Sequence, residues 1–171
     1  TKTFPELPQT MMYKAIRKKD IKINKKRCEI STRLNEGDVV VINTQGEIVF
    51  VYEIKSRHNA IMATERCNHR CIMCPQPPIL QETDKTHFNM HLISLFDKHT
   101  CEIGITGGEP TLIGDNLFVL VKHIQKQLPK TAISILSNGV KFADKEYAMK
   151  LAKCFHHDMQ IDIPLFSDIA E

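Results

Sequence analysis

From residue 60 onward the chain alternates short apolar runs with amphipathic stretches, and this alternation constrains its fold more than any other feature. "AIMAT" (60–64), "CEIGIT" (101–106), "AISILS" (132–137) and "MQIDIPLF" (159–166) have the length and apolar, β-branched character of buried strands. Helical periods lie between them. "THFNMHLISLFDKH" sets Phe88, Leu92, Leu95, Phe96 and His99 on one face. "GDNLFVLVKHIQKQLP" does the same for Leu117, Leu120, Val121, Ile124 and Leu128, with Asp115 as N-cap and Pro129 just past the end. "ADKEYAMKLAKCF" turns Tyr147, Leu151 and Phe155 inward. Strand–helix alternation of this kind predicts an α/β fold of right-handed βαβ units around a parallel sheet.

The first third reads differently. "DVVVINTQGEIVFVYEI" (38–54) is two β-branched runs around a turn containing Gly46, a β-hairpin signature. Residues 1–35 carry ten Lys/Arg against Glu6, Asp20 and Glu29. We therefore expect a basic arm and hairpin over 1–57 and a (βα) core over 58–171. The arm is either a solvated surface or a dock for an acidic partner. With only Phe4 and Tyr13 as aromatics it makes a poor stacking platform, so nucleic acid is not expected. Strand addition to the hairpin edge is one route by which a peptide would bind. No apolar run of about 18 residues is present and the start lacks a signal-peptide layout, so no membrane association is expected. The six cysteines form one cluster and three singles, unlike a secreted disulfide framework, which points to a reducing cytoplasmic setting.

The cluster is "ERCNHRCIMCPQPP" (65–78), placing Cys67, Cys71 and Cys74 at spacing C-x₃-C-x₂-C. A Cys71–Cys74 redox pair leaves Cys67 without a task. A structural zinc site wants four ligands, and the fourth would have to be His69 inside the same tight loop. A cubane [4Fe–4S] cluster takes three thiolates from one loop and leaves one iron open to an outside ligand. Pro75, Pro77 and Pro78 stiffen the loop's exit. Cys28, Cys101 and Cys154 have no cysteine at ligand spacing and read as small apolar residues. In a parallel sheet ligands bind at the carboxyl ends of the strands. That edge should gather the cysteine loop, "GGEP" (107–110), "SNG" (137–139) and Ser167.

The cysteine loop after the first strand, with Gly107, Gly108, Glu109 and Pro110 after the second, resembles the radical S-adenosylmethionine (SAM) superfamily over roughly residues 58–167. The resemblance implies a partial (βα) barrel whose cofactors are a [4Fe–4S] cluster and SAM. Cys67, Cys71 and Cys74 would ligate the cluster, and the open iron would chelate SAM. Reductive cleavage of SAM would give a 5′-deoxyadenosyl radical that takes hydrogen from the substrate. Gly107 and Gly108 would admit the methionine end of SAM, Glu109 its amino group, and Pro110 completes the turn. Ser137, Asn138 and Ser167 would lie near SAM. Met73 stands where the superfamily usually has an aromatic residue beside the adenine. The superfamily core has six strands, so the resemblance also implies a chain cut after its fourth strand, a fragment or half of a split protein.

"SRHNAIMATERCNHRCIMCPQPP", "ITGGEPTL" and "IPLFSD" further resemble the radical SAM maturases of the His-Xaa-Ser repeat system. That resemblance implies a peptide or small protein substrate, with a flavodoxin- or ferredoxin-type reductant. Two alternatives remain open: a radical SAM enzyme acting on a small molecule or RNA, and a zinc-stabilised binding module whose basic arm contacts nucleic acid.

Overall fold

A computed structural model describes residues 22–23, 26–27, 35–42, 47–72, 74–75, 78–79, 84–154 and 157–164. Cys28, Gly46, Met73, Phe155 and Ser167, singled out above, lie outside these described residues. The chain divides into two compact units, Thr1–Ser56 and Arg57–Glu171.

In the first unit, β3 (Val39–Ile42) and β4 (Glu47–Tyr52) pair antiparallel, with Val41 opposite Val49 and Ile42 opposite Ile48. Among its described residues, Val39, Ile48 and Tyr52 are the buried apolar ones. The Asp38 carboxylate closes the open end of the hairpin, accepting from the backbone N–H of Ile54 at 2.9 Å and of Asn35 at 2.7 Å. Burial would raise its pKa, but these bonds outweigh it and hold the carboxyl below the usual range. The basic arm contributes as well. β1 (Lys22–Ile23) lies parallel to β4, with Lys22 opposite Glu47, and β2 (Lys26–Arg27) pairs back on β1. The sheet order is β2-β1-β4-β3, so β4 is an interior strand and its outer edge is already taken.

The second unit is a four-stranded sheet, wholly parallel, in the order β5-β6-β7-β8. Its strands are β5 (His58–Thr64), β6 (Glu102–Gly107), β7 (Ala132–Leu136) and β8 (Met159–Asp162). Each joins its sequence neighbour through a helix: α1 (Thr86–Ile93), α2 (Asn116–Gln127) or α3 (Lys145–Ala152). Neighbour-to-neighbour order with right-handed crossovers puts every helix on one face of the sheet. Ile61, Ala63, Ile103, Ile105, Ile133 and Ile135 are buried, together with Leu117, Leu120, Val121, Ile124 and Leu128 of α2 and its C-cap. The five positions expected inward on α2 are all inward.

α1 departs from expectation. It stops at Ile93, and Phe88 (49% exposed) and Leu95 (48%) face out while Asn89 (2%) and Ile93 (0%) are buried. The cause is polar. Asn89 donates its Nδ2 to the carbonyl of Met62 at 2.9 Å, which lets a polar side chain take an inward position, while Leu92 and Phe96 are buried as expected. Past Ile93, a tight Leu95 N–H to Leu92 carbonyl bond of 2.9 Å ends the α-helical run and carries Leu95 outward. His99 also points to solvent. Asp115 occupies the N-cap position of α2 as expected, but it adopts helical angles (φ −64°, ψ −18°) and makes no side-chain cap bond. At α1 the N-cap is Lys85, and Asp84 before it accepts from the Thr86 N–H at 2.8 Å and also from Asn116 at the start of α2. Cys154 is buried as expected, whereas Cys101 is exposed because it precedes β6 on the surface rather than entering the core.

Candidate functional site

The carboxyl ends of β5, β6 and β7 come together through backbone contacts that only glycine permits. Gly107 ends β6 at φ 134°, and a Cβ there would lie 2.1 Å from the Thr64 carbonyl oxygen. A Cβ on Gly108 would lie 2.2 Å from the Arg66 carbonyl oxygen. Neither space exists for a side chain. The reward is a pair of bonds: Gly108 N–H donates to the Thr64 carbonyl and Glu109 N–H to that of Arg66, each at 2.8 Å. The strand-to-helix turn of β6 is thereby fastened to the start of the cysteine loop.

Glu109 continues the fastening. Its side chain is 1% exposed. Oε1 accepts from the Thr111 N–H at 3.0 Å, the Thr111 hydroxyl at 2.6 Å and the Ser137 hydroxyl at 2.8 Å. Oε2 accepts from the Asn138 N–H at 2.7 Å. A buried carboxylate with four donors is well satisfied, and it binds the end of β6 to the turn after β7. Pro110 sits at the first position of the 3₁₀ turn Pro110–Ile113, where a missing N–H costs nothing. Ser137 is 4% exposed and passes the support on, its hydroxyl oxygen accepting from Gly139 N–H at 3.1 Å. Nearby, burial first and then the charges of Glu109 and Asp115 push the Tyr147 phenol up to about 12, which keeps it neutral.

Cys67 is partly exposed, Cys71 and Cys74 are exposed, and none of the three is in a disulfide. Within the loop the His69 N–H donates to Cys67 Sγ at 3.4 Å, and the Cys74 N–H to the Cys71 carbonyl at 3.0 Å. The loop's exit returns to its start through Ile79 N–H donating to the Glu65 carbonyl at 3.2 Å. All three thiols line a hollow of about 450 Å³ within the loop. They also line a larger cavity of about 850 Å³ that continues over Gly107, Gly108, Ser137 and Asn138. Its far wall is Leu136, Ile161, Asp162, Ile163 and Pro164. Of the residues expected at the site, the cysteines, both glycines, Ser137 and Asn138 thus surround one space. Glu109 supports that space without lining it.

The expectations omitted Asn68, which accepts from Asn138, and Asp162, which accepts from Ser134 and reaches the cavity. Asp162 was legible in principle, since it ends β8 on the same edge as the other site residues.

Among the described residues, no three His, Cys, Asp or Glu side chains gather closely enough to hold one metal ion. A mononuclear zinc site needs its ligands about 2.3 Å from a single point. Thiols arranged around a hollow suit a cluster, whose irons sit at separate corners. The donor set fits as well: cluster irons are held by Cys thiolates, and one loop can place three of them on three corners of a cubane.

A family model described as "4Fe-4S single cluster domain" matches residues 57–170. Among curated proteins, the GTP 3′,8-cyclase of Campylobacter jejuni subsp. doylei is 32% identical over 106 residues, 58% of this chain and 32% of that protein. The GTP 3′,8-cyclase of Nautilia profundicola is 33% identical over 106 residues, again 58% and 32%. The chain spans about a third of the length of these relatives. Among solved structures, BtrN in complex with AdoMet and 2-DOIA superposes with TM-score 0.47 at 20% identity, covering 60% of this chain and 44% of that one. BtrN in an open conformation gives 0.46 at 23% identity, covering 64% and 51%.

Proposed function

Since this chain belongs to the 4Fe-4S single cluster domain family and with it to the radical SAM superfamily, whose cofactors are a [4Fe–4S] cluster and SAM, we propose that it carries the cofactor end of a SAM-cleaving enzyme that modifies a peptide. Cys67, Cys71 and Cys74 would hold the cluster. When bound, the cluster supplies the electron that splits SAM to methionine and a 5′-deoxyadenosyl radical. The chain's own residues bind and orient. Gly107 and Gly108 offer a wall without side chains to the methionine end of SAM, and Ser137 and Asn138 offer polar atoms beside it. Met73 and Ser167, which lie outside the described residues, would be the further contacts that the resemblance implies. Glu109 holds this wall in place; its four bonds to the chain itself make support its first role.

The observation that supports this reading is the sharing of one cavity by three cysteines outside any disulfide, two obligatory glycines and the Ser137–Asn138 turn. The test is anaerobic reconstitution of the full-length enzyme. The expected result is a brown protein with about four irons per chain that releases methionine and 5′-deoxyadenosine when reduced with SAM, and that loses both properties when any one of the three cysteines is changed to Ser. A colourless protein holding one zinc would overturn it.

For the substrate, the stretches around the cysteine loop, "ITGGEPTL" and "IPLFSD" favour a His-Xaa-Ser peptide. A second reading, a nucleotide or other small molecule, is favoured by the GTP 3′,8-cyclases among the relatives. A mass change on a His-Xaa-Ser peptide supports the first; an unchanged peptide with consumption of GTP supports the second. A cytoplasmic setting and a flavodoxin- or ferredoxin-type reductant belong to the same proposal. No helix among the described residues is long and apolar enough to cross a membrane.

A further inference from the structure

The cysteine loop is fastened at its start by residues 107–109 and at its exit by Ile79, but one more tie crosses the cavity. Asn138 Nδ2 donates to Asn68 Oδ1 at 2.7 Å, joining the residue after Cys67 to the turn after β7. The direction of this bond is set by a second one. Asn138 Oδ1 accepts from the Val140 N–H at 3.1 Å, so the amide's oxygen is committed and its nitrogen must face Asn68. Asn138 is also held by its own N–H, donated to buried Glu109.

An exposed amide pair between two mobile side chains is worth little, because ordering both consumes the gain. Here one partner is ordered already. Two bonds fix Asn138 before Asn68 arrives, so only Asn68 loses freedom on pairing. We propose that Asn68 and Asn138 are positioning residues, a latch that holds the Cys67 side of the ligand loop against the end of β7 before iron binds. The latch also sets the peptide on which the next N–H, that of His69, donates to Cys67 Sγ. Hydrogen bonds to cluster sulfurs raise the reduction potential. The identity of the group the loop holds rests on the function proposed above; the latch itself does not.

Two substitutions at Asn68 separate the latch from its surroundings. Asn68→Ala removes the acceptor and leaves the bonds of Asn138 to Val140 and Glu109 in place. Asn68→Asp keeps the acceptor that Asn138 Nδ2 needs. In the full-length protein without iron, Asn68→Ala should speed amide exchange of residues 69–71 about fivefold, the value of one net hydrogen bond, while Asn68→Asp stays near wild type. In the reconstituted protein, Asn68→Ala should release iron to a chelator faster than wild type, and its cluster should have the lower potential. Equal behaviour of the two variants in the iron-free exchange experiment would overturn the latch. If exchange separates them but no cluster assembles in either or in wild type, the latch stands and the proposed function fails.

Discussion

Glu109 shows how one side chain can join three segments far apart in sequence. Its carboxylate takes hydrogen bonds from Thr111, Ser137 and Asn138, and its own N–H reaches Arg66. Glu109→Ala should therefore take the acceptor from two buried hydroxyls and two backbone N–H groups, costing on the order of 2–4 kcal/mol in chemical denaturation. Gly108→Ala should do comparable harm by a different route. Its Cβ would meet the Arg66 carbonyl oxygen at 2.2 Å, so the cysteine loop must lift away, and iron incorporation should fall with stability. Tyr147 provides a pH-dependent check on the same region. Its folded pKa, about 12, lies above the ordinary 10.0. The stability it contributes is therefore fully present below pH 10.0 and lost as pH rises through about 12. In the folded protein the phenolate absorbance removed by Tyr147→Phe should appear near pH 12 rather than 10.0.

The helices differ in how openly their sequences declare them. α2 has twelve residues and a wide apolar stripe, so periodicity alone identifies its buried face. Leu120→Ala, at 0% exposure, should cost about 2–5 kcal/mol in thermal or chemical unfolding. α1 has eight residues and buries an asparagine, which no count of apolar positions detects, because the licence for burying it is a carbonyl on β5. Two substitutions test the corrected face: Asn89→Ala should destabilise by about 1–3 kcal/mol, and Phe88→Ala should stay within about 0.5 kcal/mol of wild type. The site divides along the same line. The cysteine loop and the GGEP turn are legible because their residue types are rare and closely spaced. The bonding around Glu109 is not, since it depends on residues 66, 109 and 138 meeting only in the folded sheet.

Charge is distributed unevenly over the molecule. Residues 1–35 carry ten basic and three acidic side chains, the remaining 136 carry 13 and 17, and the lysines of β1 and β2 lie within the basic portion. A reductant with an acidic surface should therefore transfer electrons faster at low salt, and stopped-flow reduction should slow as ionic strength rises past the point where the screening length falls to about 10 Å. A rate indifferent to salt would remove the basic arm from that role. The order of the parallel sheet has another consequence, for the sequence of events during synthesis. Strands pair with their chain neighbours, so the sheet can be laid down one unit at a time as the polypeptide emerges. The three cysteines leave the ribosome well before the glycines that seat their loop, and earlier still than Asn138, which completes the support. For that interval the thiols are held by nothing downstream. Metal loading on the shaped loop must therefore follow the third strand, and the growing chain is most vulnerable to oxidation before then.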